Sequence, residues 1–224
     1  MLNKPYYDDG QITIYHGDCR EILPSLGPVD LLLTDPPYGL GLDMVLKHGT
    51  NANGSIHQAS AWNNTIPSQL CFDLMYDQSN AQIIWGCNYF GGSIRDVGRM
   101  VHDKQLAIAG TALRWSEADI ASCSFQRRIT MFRYRWNGNV QGKTINWKNE
   151  GPDARQHPTQ KPLALMMWCI EQAPMSQTIL DPFMGSGTTL RAAKDLGRRA
   201  IGIEIEERYC EIAVKRLAQQ VLAL

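Results

Sequence analysis

The segment TILDPFMGSGTT, residues 178–189, joins an apolar strand to the start of a helix through a glycine-rich turn. Gly185 and Gly187 carry no side chain, so the backbone there can approach a ligand closely. A strand, a turn of this kind and a helix in succession are typical of ligand-binding units in α/β proteins. Leu190 stands where the dinucleotide pattern G-x-G-x-x-G has its third glycine, which disfavours a nicotinamide or flavin site. The segment therefore predicts an α/β fold with a ligand at this turn.

The next strand along the chain ends in a carboxylate. Residues 200–204, AIGIE, form an apolar run, and Glu204 lies 17 residues after Gly187. Nucleotide-binding α/β units place a ribose-binding acid about 20 residues beyond the glycine turn. We therefore expect Glu204 to hold ribose hydroxyls, although a carboxylate at a strand end can also serve only as a charge at the start of the following helix.

Nearer the N-terminus, an apolar strand at residues 29–34 runs directly into Asp35, Pro36, Pro37 and Tyr38. The two prolines fix the backbone and remove two N–H donors, which leaves carbonyl oxygens beside a carboxylate and an aromatic ring. Asp35 and the Pro36 carbonyl can accept the two N–H bonds of an amino group, and Tyr38 can stack on a base that has left the duplex. This corner predicts chemistry on an exocyclic amine, the alternative being an ordinary Asp-Pro turn.

Strand and helix patterns alternate along the chain, which favours a single α/β domain over residues 1–224, Rossmann-like, with a mostly parallel twisted sheet and helices on both faces. The expected strands are 11–15, 29–34, 82–85, 107–109, 178–180 and 200–205. The expected helices are 161–172, 188–196 and 206–222. Residues 39–64 lack a sustained period and predict a long functional loop after the catalytic-edge strand.

Composition excludes several classes of protein. The chain has 224 residues, of which 44% are hydrophobic and 20% charged, as expected for a globular domain with a proper core. Its apolar stretches are far shorter than the ~20 residues of a membrane-spanning helix, and its first residues lack the pattern of a secretory signal. We therefore expect a cytoplasmic protein. The six cysteines form no C-x-x-C pair, so neither a disulfide framework nor a metal site is expected.

A basic segment, residues 124–149, is the strongest candidate for a nucleic-acid surface. No acidic residue occurs between Ile120 and Asn149. The arginines proposed to contact DNA are Arg127, Arg128, Arg133 and Arg135, and the interleaved aromatic residues are Phe125, Phe132, Tyr134, Trp136 and Trp147. Cations neutralise phosphates and aromatic faces stack on bases, although a solvated amphipathic strand pair would give the same pattern. Lys47 and Trp62 in the long loop are two further DNA-binding candidates.

Four motifs together resemble the DNA amino-methyltransferases. These are D-P-P-Y at 35–38, F-x-G-x-G at 183–187, H-P-T-Q-K-P at 157–162 and G-D-C at 17–19. The catalytic motif precedes the cofactor loop, which is similar to the permuted motif order of the β class. The resemblance implies S-adenosylmethionine as cofactor and DNA as partner. The cofactor residues that it and the glycine turn imply are Asp18, Cys19, Thr159, Lys161, Asp181, Phe183, Gly185, Ser186, Gly187, Thr188 and Glu204, with Asp18 at the adenine ring and Thr159 and Lys161 at the methionine carboxylate.

The expected reaction is direct methyl transfer to a flipped base, with adenine N6 favoured because the family's adenine branch is similar in carrying Asp before Pro-Pro-Tyr. Cytosine N4 is the alternative, and an RNA or protein-amide target is a more distant one. No cysteine follows a proline, which disfavours a base-carbon methyltransferase. The chain leaves little room for a separate recognition domain, so recognition is expected from 39–64 and 124–149. The sequence leaves open a homodimer and an accompanying restriction enzyme.

Overall fold

A computed structural model describes residues 4–40, 65–95, 98–105, 116–136 and 160–218 of the chain. The strands in these ranges are β1 (Tyr7–Asp8), β2 (Ile12–His16), β3 (Val29–Thr34), β4 (Ser79–Trp85), β5 (Gly98–Asp103), β6 (Ala118–Cys123), β7 (Ile129–Arg133), β8 (Thr178–Asp181) and β9 (Arg199–Glu204). The α-helices are α1 (Cys19–Ile22), α2 (Gln69–Asp77), α3 (Leu163–Glu171), α4 (Thr188–Asp195) and α5 (Glu207–Ala218). Among the helices in these ranges, none is long and apolar enough to cross a bilayer.

The strands form one sheet in the order β1-β2-β9-β8-β3-β4-β6-β5-β7. The five strands from β2 to β4 in this order pair in parallel, and so do β5 and β7, whereas β1 and β6 are antiparallel to their neighbours. The mostly parallel sheet confirms the predicted fold class. Leu31, Leu32 and Leu33 in the central strand β3 are fully buried, since both faces of the sheet are covered.

Helices cover the two faces of the sheet with separate cores. On one face, α3, α4 and α5 pack against side chains such as Leu31, Leu33 and Ile179. On the other face, α1 and α2 pack against Leu32 and Ile84. Because side chains alternate along a strand, β3 contributes to both cores. The predicted helices at 161–172 and 188–196 correspond to α3 and α4, and that at 206–222 corresponds to α5, within the described residues.

The second half of the sheet differs from the sequence prediction. Strands β5, β6 and β7 were not predicted, and neither was α2, while the strand expected at 107–109 lies outside the described residues. In β5, the inward positions include Gly98 and His102, and these residue types hide the apolar alternation. In β6, small residues such as Ala121 and Ser122 are fully buried because strands flank them on both sides.

Strand direction decides which residues share an edge of the sheet. The carboxyl ends of β3, β4, β8 and β9 lie together, and β5 and β7 run in the same direction as these strands. Because β6 runs the opposite way, its first residues lie at this same edge. Ligands of open α/β sheets bind at the carboxyl edge, so the site is expected there.

Candidate active site

The Asp35 corner forms a compact polar cluster at the end of β3. The Tyr38 hydroxyl donates a hydrogen bond to Asp35 Oδ1. Lys161 Nζ lies 3.0 Å from Asp35 Oδ2 and 3.0 Å from the Tyr38 hydroxyl oxygen. The resemblance implies that Lys161 approaches the methionine carboxylate, whereas its ammonium here binds the carboxylate of the D-P-P-Y motif. The sequence did not indicate this ion pair.

Burial shapes the protonation of this cluster. The side chains of Asp35 and Lys161 are 19% and 10% exposed. Burial raises the pKa of the Asp35 carboxyl above its ordinary value, and the nearby Lys161 charge and Tyr38 hydroxyl oppose that rise. Burial alone would lower the pKa of Lys161, but the charges of Asp119 and Asp35 raise it well above its ordinary value. Lys161 therefore stays cationic at neutral pH.

Neighbouring residues fix the orientation of the Tyr38 ring. Its ring stacks on Tyr89 with centroids 4.7 Å apart and an interplanar angle of 16°. Gly86, in the turn after β4, has a φ of 76°, and a Cβ added there would overlap the Tyr38 ring. The absence of a side chain at position 86 is thus what allows Tyr38 to lie against this turn.

A second carboxylate, Asp119 at the start of β6, extends the cluster. Its Oδ2 lies 3.5 Å from Lys161 Nζ and its Oδ1 lies 2.7 Å from Lys104 Nζ. His102, fully buried on the neighbouring strand, places Nδ1 3.7 Å from Asp119 and Nε2 3.0 Å from the Tyr134 carbonyl oxygen. Burial alone would raise the pKa of Asp119, but Lys161, His102 and Lys104 together lower it below its ordinary value. Asp119 is therefore a partly buried anion.

The glycine turn is tied to the acid at the end of β9. The Gly185 N–H donates to Glu204 Oε2 at 2.9 Å, and the Glu206 N–H donates to Oε1 at 2.8 Å. Burial raises the pKa of Glu204 to about 7, and these two backbone donors oppose the rise. The acid expected to bind ribose is thus fixed beside the turn before any ligand arrives.

Asp181 links the two motif-bearing strands. Its Oδ1 accepts hydrogen bonds from the Thr34 hydroxyl at 2.8 Å and from the Phe183 N–H at 3.2 Å. Burial raises the pKa of Asp181 to about 6, against the effect of its hydrogen-bond donors. Because Thr34 is the last residue before Asp35, this contact fixes the glycine turn relative to the Asp35 corner.

Arg216, on α5, holds the glycine turn through hydrogen bonds. This residue was not identified from the sequence. This buried side chain donates from Nη1 to the Ser186 carbonyl oxygen at 2.8 Å and to the Thr188 hydroxyl at 3.1 Å. The signal that could have found it is an arginine on the apolar stripe of α5, since Ala213 and Arg216 lie on the same buried face. Gly187 is not part of the cleft lining, because a Cβ there would face Ala213 at 2.8 Å.

The G-D-C turn lies on the far side of the glycine turn. The Asp18 carboxylate caps α1 by accepting from the Arg20 N–H at 2.8 Å and forms an ion pair with the Arg20 side chain. Cys19 is buried, with its sulfur 3.7 Å from that of Cys71 on α2. The cofactor candidate Thr159 and the DNA candidates Lys47 and Trp62 lie outside the described residues.

One cleft of about 500 Å³ joins the two motifs. The predicted residues that line it are Asp18, Cys19, Asp35, Pro36, Pro37, Tyr38, Lys161, Asp181, Phe183, Gly185, Ser186, Thr188 and Glu204. This volume lies within the range of about 300–1,000 Å³ that is usual for small-molecule and cofactor sites. No group of metal-ligating side chains suited to a metal ion occurs among the residues that the structure describes.

The described part of the basic segment, residues 124–136, includes β7, the last strand of the sheet. Arg127, Arg128, Arg133 and Arg135 are all exposed. Arg133 ends β7 at the edge that carries the cleft, where it lies 3.7 Å from Asp103, and Arg135 follows it. Arg127 and Arg128 precede β7 and so lie at its opposite end, about 16 Å or more from Arg133 along an extended chain. The four arginines therefore divide into a pair at the cleft edge and a pair away from it.

Two aromatic residues of this segment do not present their faces to solvent. Phe132 points inward, with its ring centroid 5.3 Å from that of Trp168 on α3. Trp136 is buried and donates its Nε1–H to the Gln160 carbonyl oxygen at 3.1 Å. In this structure these two rings are therefore part of the packing of the protein, and a role of the basic segment in stacking on bases stays a prediction for its exposed aromatic residue Phe125.

The glycine turn and strand-end acid on one side of the cleft, with the Asp-Pro-Pro-Tyr corner on the other, define a Rossmann-like methyltransferase domain. The family model described as DNA methylase matches residues 102–215. YubD, a protein of Escherichia coli (strain K12) named as a methylase, is 45% identical over 213 residues, which cover 90% of this chain and 88% of YubD.

Two further comparisons cover nearly the whole chain. The Type II methyltransferase M.ScaI of Streptomyces caespitosus is 28% identical over 272 residues, covering 100% of this chain and 86% of M.ScaI. The crystal structure of the M1.HpyAVI–SAM complex has a TM-score of 0.55 at 26% identity, covering 93% of this chain and 100% of that one. The chain belongs to the N6/N4 family of DNA methylases, and it is an S-adenosylmethionine-dependent DNA methyltransferase.

Proposed function

We propose that this chain methylates the N6 amino group of adenine in DNA, with the base flipped out of the duplex into the cleft. The observation that carries the proposal is the single cleft lined by both the Asp35 corner and the glycine turn. Two reactants held side by side need no separate encounter, and correct positioning alone can contribute about 7–11 kcal/mol to lowering a barrier.

The residues around the glycine turn fit S-adenosylmethionine, which supplies an electrophilic methyl group on its sulfonium. Glu204 lies at a strand end where ribose hydroxyls can donate to its carboxylate. The turn residues Gly185 and Ser186 leave backbone groups at the cleft wall. Asp18 also lines the cleft, where its carboxylate is paired with Arg20, and the resemblance implies that it contacts the adenine ring of the cofactor.

The Asp35 corner acts on the base. An exocyclic amine is a weak nucleophile because its lone pair is delocalised into the ring, so acceptors that favour positive charge on nitrogen assist the transfer. Asp35 and the Pro36 carbonyl accept hydrogen bonds from the two N–H groups and orient the nitrogen. Direct transfer would form the N–CH3 bond as the bond between the methyl group and sulfur breaks, leaving the cofactor as a neutral thioether, and the amine would then lose its extra proton to Asp35 or to water. No covalent enzyme intermediate is needed. Tyr38, preset against Tyr89, offers its ring for stacking.

Adenine is favoured over cytosine on the identity of one residue. The motif reads Asp-Pro-Pro-Tyr, and the resemblance associates Asp at this position with the adenine-N6 branch. Both bases present a planar amino group to the same acceptors, so the corner chemistry is common to the two reactions. Identifying the methylated nucleoside therefore decides between adenine and cytosine.

We further propose that Arg133 and Arg135 bind DNA phosphates, since they are exposed and lie at the edge of the sheet that carries the cleft. Phosphate contacts fix the register of a protein on the duplex without reading its sequence. Whether two copies of the chain act together on DNA is measured separately, as the molar mass of the purified protein in solution.

The test is methyl transfer from labelled S-adenosylmethionine to unmethylated DNA, with the nucleosides then separated by mass spectrometry. We expect N6-methyladenine from the wild-type protein and none from Asp35→Ala. Asp30→Ala is the matched control, because Asp30 is on the same strand at its other end and bonds the Thr178 N–H at 2.9 Å. N4-methylcytosine as the product would overturn the base assignment. Methylation of RNA or protein but not DNA would overturn the substrate.

A further inference from the structure

Lys161 lies between two partly buried carboxylates, Asp35 and Asp119. Its ammonium lies 3.0 Å from Asp35 and 3.5 Å from Asp119, and its side chain is 10% exposed. A lysine ammonium has three N–H donors, and the Tyr38 hydroxyl at 3.0 Å is within reach of the third. Lys161 therefore contacts Asp35 in the way that the target amine is proposed to contact it.

This arrangement makes the target amine compete with Lys161 for Asp35. Oδ1 already accepts from Tyr38 and Oδ2 is paired with Lys161. Each carboxylate oxygen has a further acceptor site, so the amine can reach Asp35, but the positive charge of Lys161 offsets the negative charge with which Asp35 would stabilise the amine nitrogen. Asp35 acts at full strength only when the ammonium moves away from Oδ2. A buried ammonium that loses its only anion would be strongly disfavoured, because its desolvation would go uncompensated. A second anion within reach removes that penalty.

Asp119 has the properties of such an anion. Its side chain is 15% exposed, Lys104 Nζ lies 2.7 Å from Oδ1, and His102 Nδ1 lies 3.7 Å from Oδ2. It sits on β6, whose pairing with β4 and β5 fixes its position. The carboxylate is thus held firmly while its Oδ2 faces Lys161 at a distance slightly longer than a direct hydrogen bond.

We propose that Asp119 is a positioning residue for methyl transfer, which takes over the ammonium of Lys161 when the target amine binds Asp35. The inference rests on the proposed role of Asp35. In the resting protein Lys161 bridges the two carboxylates; with the base bound, it pairs with Asp119 and leaves Asp35 Oδ2 free to accept from the amine.

The charged groups around Asp35 determine in which direction its pKa shifts when one of them is removed. These groups are Lys161 from the segment before α3, Tyr38 from its own loop, Asp119 from β6 and Asp181 from β8. The negative charge of Asp119 raises the pKa of Asp35, and the positive charge of Lys161 lowers it. Removing Asp119 should therefore shift the ionisation of Asp35 to lower pH, and removing Lys161 should shift it to higher pH.

The central experiment is Asp119→Asn in the full-length protein, assayed with S-adenosylmethionine and unmethylated genomic DNA. We expect kcat to fall about tenfold, as is usual for coupled neighbours, because Lys161 is left with Asp35 as its remaining carboxylate partner in the cluster. The Kd for S-adenosylmethionine should stay unchanged. The acid limb of the kcat/KM profile, which reports the free enzyme, should move to lower pH. Asp119→Glu should restore most of the rate.

Lys161→Met completes a double-mutant cycle. Without the ammonium there is nothing for Asp119 to receive, so Asp119→Asn should change kcat less than about twofold in the Lys161→Met background. The acid limb of Lys161→Met should move to higher pH, opposite to that of Asp119→Asn. A loss of the same factor in both backgrounds, or a wild-type kcat in folded Asp119→Asn, would overturn the proposal.

Two controls keep the outcome interpretable. Asp30→Asn removes a carboxylate from the opposite end of β3 and should lower the melting temperature without moving the pH profile. If Asp119→Asn does not fold, Lys161→Arg replaces it, because a guanidinium fork held by both carboxylates should release Asp35 slowly; a wild-type kcat there would refute the transfer of the cation. Full activity of Asp35→Asn would instead refute the proposed function itself.

Discussion

Glu204 and Asp35 are two carboxylates at one edge of the sheet, and their surroundings suit them to different tasks. Glu204 accepts from the backbone N–H groups of Gly185 and Glu206, whereas Asp35 faces the ammonium of Lys161 and the hydroxyl of Tyr38. Backbone N–H donors are fixed in place by the fold, whereas side-chain donors can rotate away from the carboxylate. Glu204 is therefore a fixed part of the wall proposed to hold the cofactor, whereas the partners of Asp35 can be exchanged for the proposed base.

The raised pKa of Glu204 predicts a pH-dependent affinity for S-adenosylmethionine. Accepting from two ribose hydroxyls requires the ionised carboxylate, and the pKa of Glu204 in the free protein is about 7. The Kd should therefore rise about tenfold per pH unit below 7 and level off above it. Titration calorimetry between pH 6 and 8.5 measures this.

Glu204→Gln is the control for this titration. It should bind more weakly, and its Kd should lack the component that titrates near pH 7. If wild type and variant show the same dependence, the ionisation belongs to another group. By linkage, because the folded-state pKa lies above the ordinary value of 4.5, Glu204 should make the free protein less stable as the pH rises from 4.5 to about 7.

Gly86 predicts how strictly the orientation of Tyr38 matters. In Gly86→Ala the new Cβ would overlap the Tyr38 ring, so the ring must leave its stack on Tyr89. We expect kcat/KM for DNA to fall at least about tenfold, with little change in the Kd for S-adenosylmethionine. Gly91→Ala is the matched control, because Gly91 also has a positive φ, 54°, but open space around it. Equal losses in both variants would assign the effect to backbone strain.

At the scale of elements, the glycine turn depends on how α4 meets α5. Arg216 on α5 donates to Ser186 and Thr188, and Gly187 at the start of α4 faces Ala213. The residues that support this turn therefore come from α5, a helix that does not itself carry the motif. An isolated strand-turn-helix unit would lack this support.

Gly187→Ala should destabilise the protein through this helix contact. Position 187 combines a φ of 77° with a Cβ only 2.8 Å from Ala213, so strain and overpacking add to an expected loss of about 2–4 kcal/mol in the free energy of unfolding. Gly197→Ala, with a φ of 68° and nothing near its Cβ, should lose only about 1 kcal/mol. Urea unfolding of both variants measures the difference, and equal losses would contradict a role for the contact with Ala213.

At the scale of the whole molecule, strand direction sorts the basic residues. Because β7 is parallel to β5 and both run with the central strands, Arg133 and Arg135 lie at the edge with the cleft, and Arg127 and Arg128 do not. A duplex whose base enters the cleft must pass over this edge. We therefore expect Arg133 and Arg135 to contribute more to DNA binding than Arg127 and Arg128, although all four carry the same charge.

Two double variants test this asymmetry with the same change in net charge. Arg133→Gln/Arg135→Gln should weaken DNA binding and lower the slope of log K against log salt by up to about 1.8, since each phosphate contact contributes about 0.9. Arg127→Gln/Arg128→Gln should change both quantities much less. Fluorescence anisotropy with a labelled duplex across a salt series measures them. If the second pair has the larger effect, the duplex crosses the other end of β7.

Much of the fold followed from local patterns. The strands β3, β8 and β9 are continuous apolar runs because both faces of the central sheet are buried, and the helices α4 and α5 show helical periodicity because each packs an apolar face on the sheet. The inserted strands β5, β6 and β7 were missed, since Gly98 and His102 at inward positions break the apolar alternation and the buried positions of β6 hold small residues. Their burial depends on neighbouring strands that are distant in sequence.

The sequence by itself determined the α/β class, the two motifs and the expectation that they meet, because short-range residue order encodes strand ends, proline corners and glycine turns. Only the tertiary structure decided that Lys161 pairs with Asp35, that Asp119 stands behind it and that Arg216 supports the glycine turn. Such contacts join residues far apart along the chain through a sheet whose strand order differs from sequence order. Local sequence patterns do not predict this strand order. The ion pairs of Lys161 could not be predicted either, because they depend on distances in space that the strand order sets.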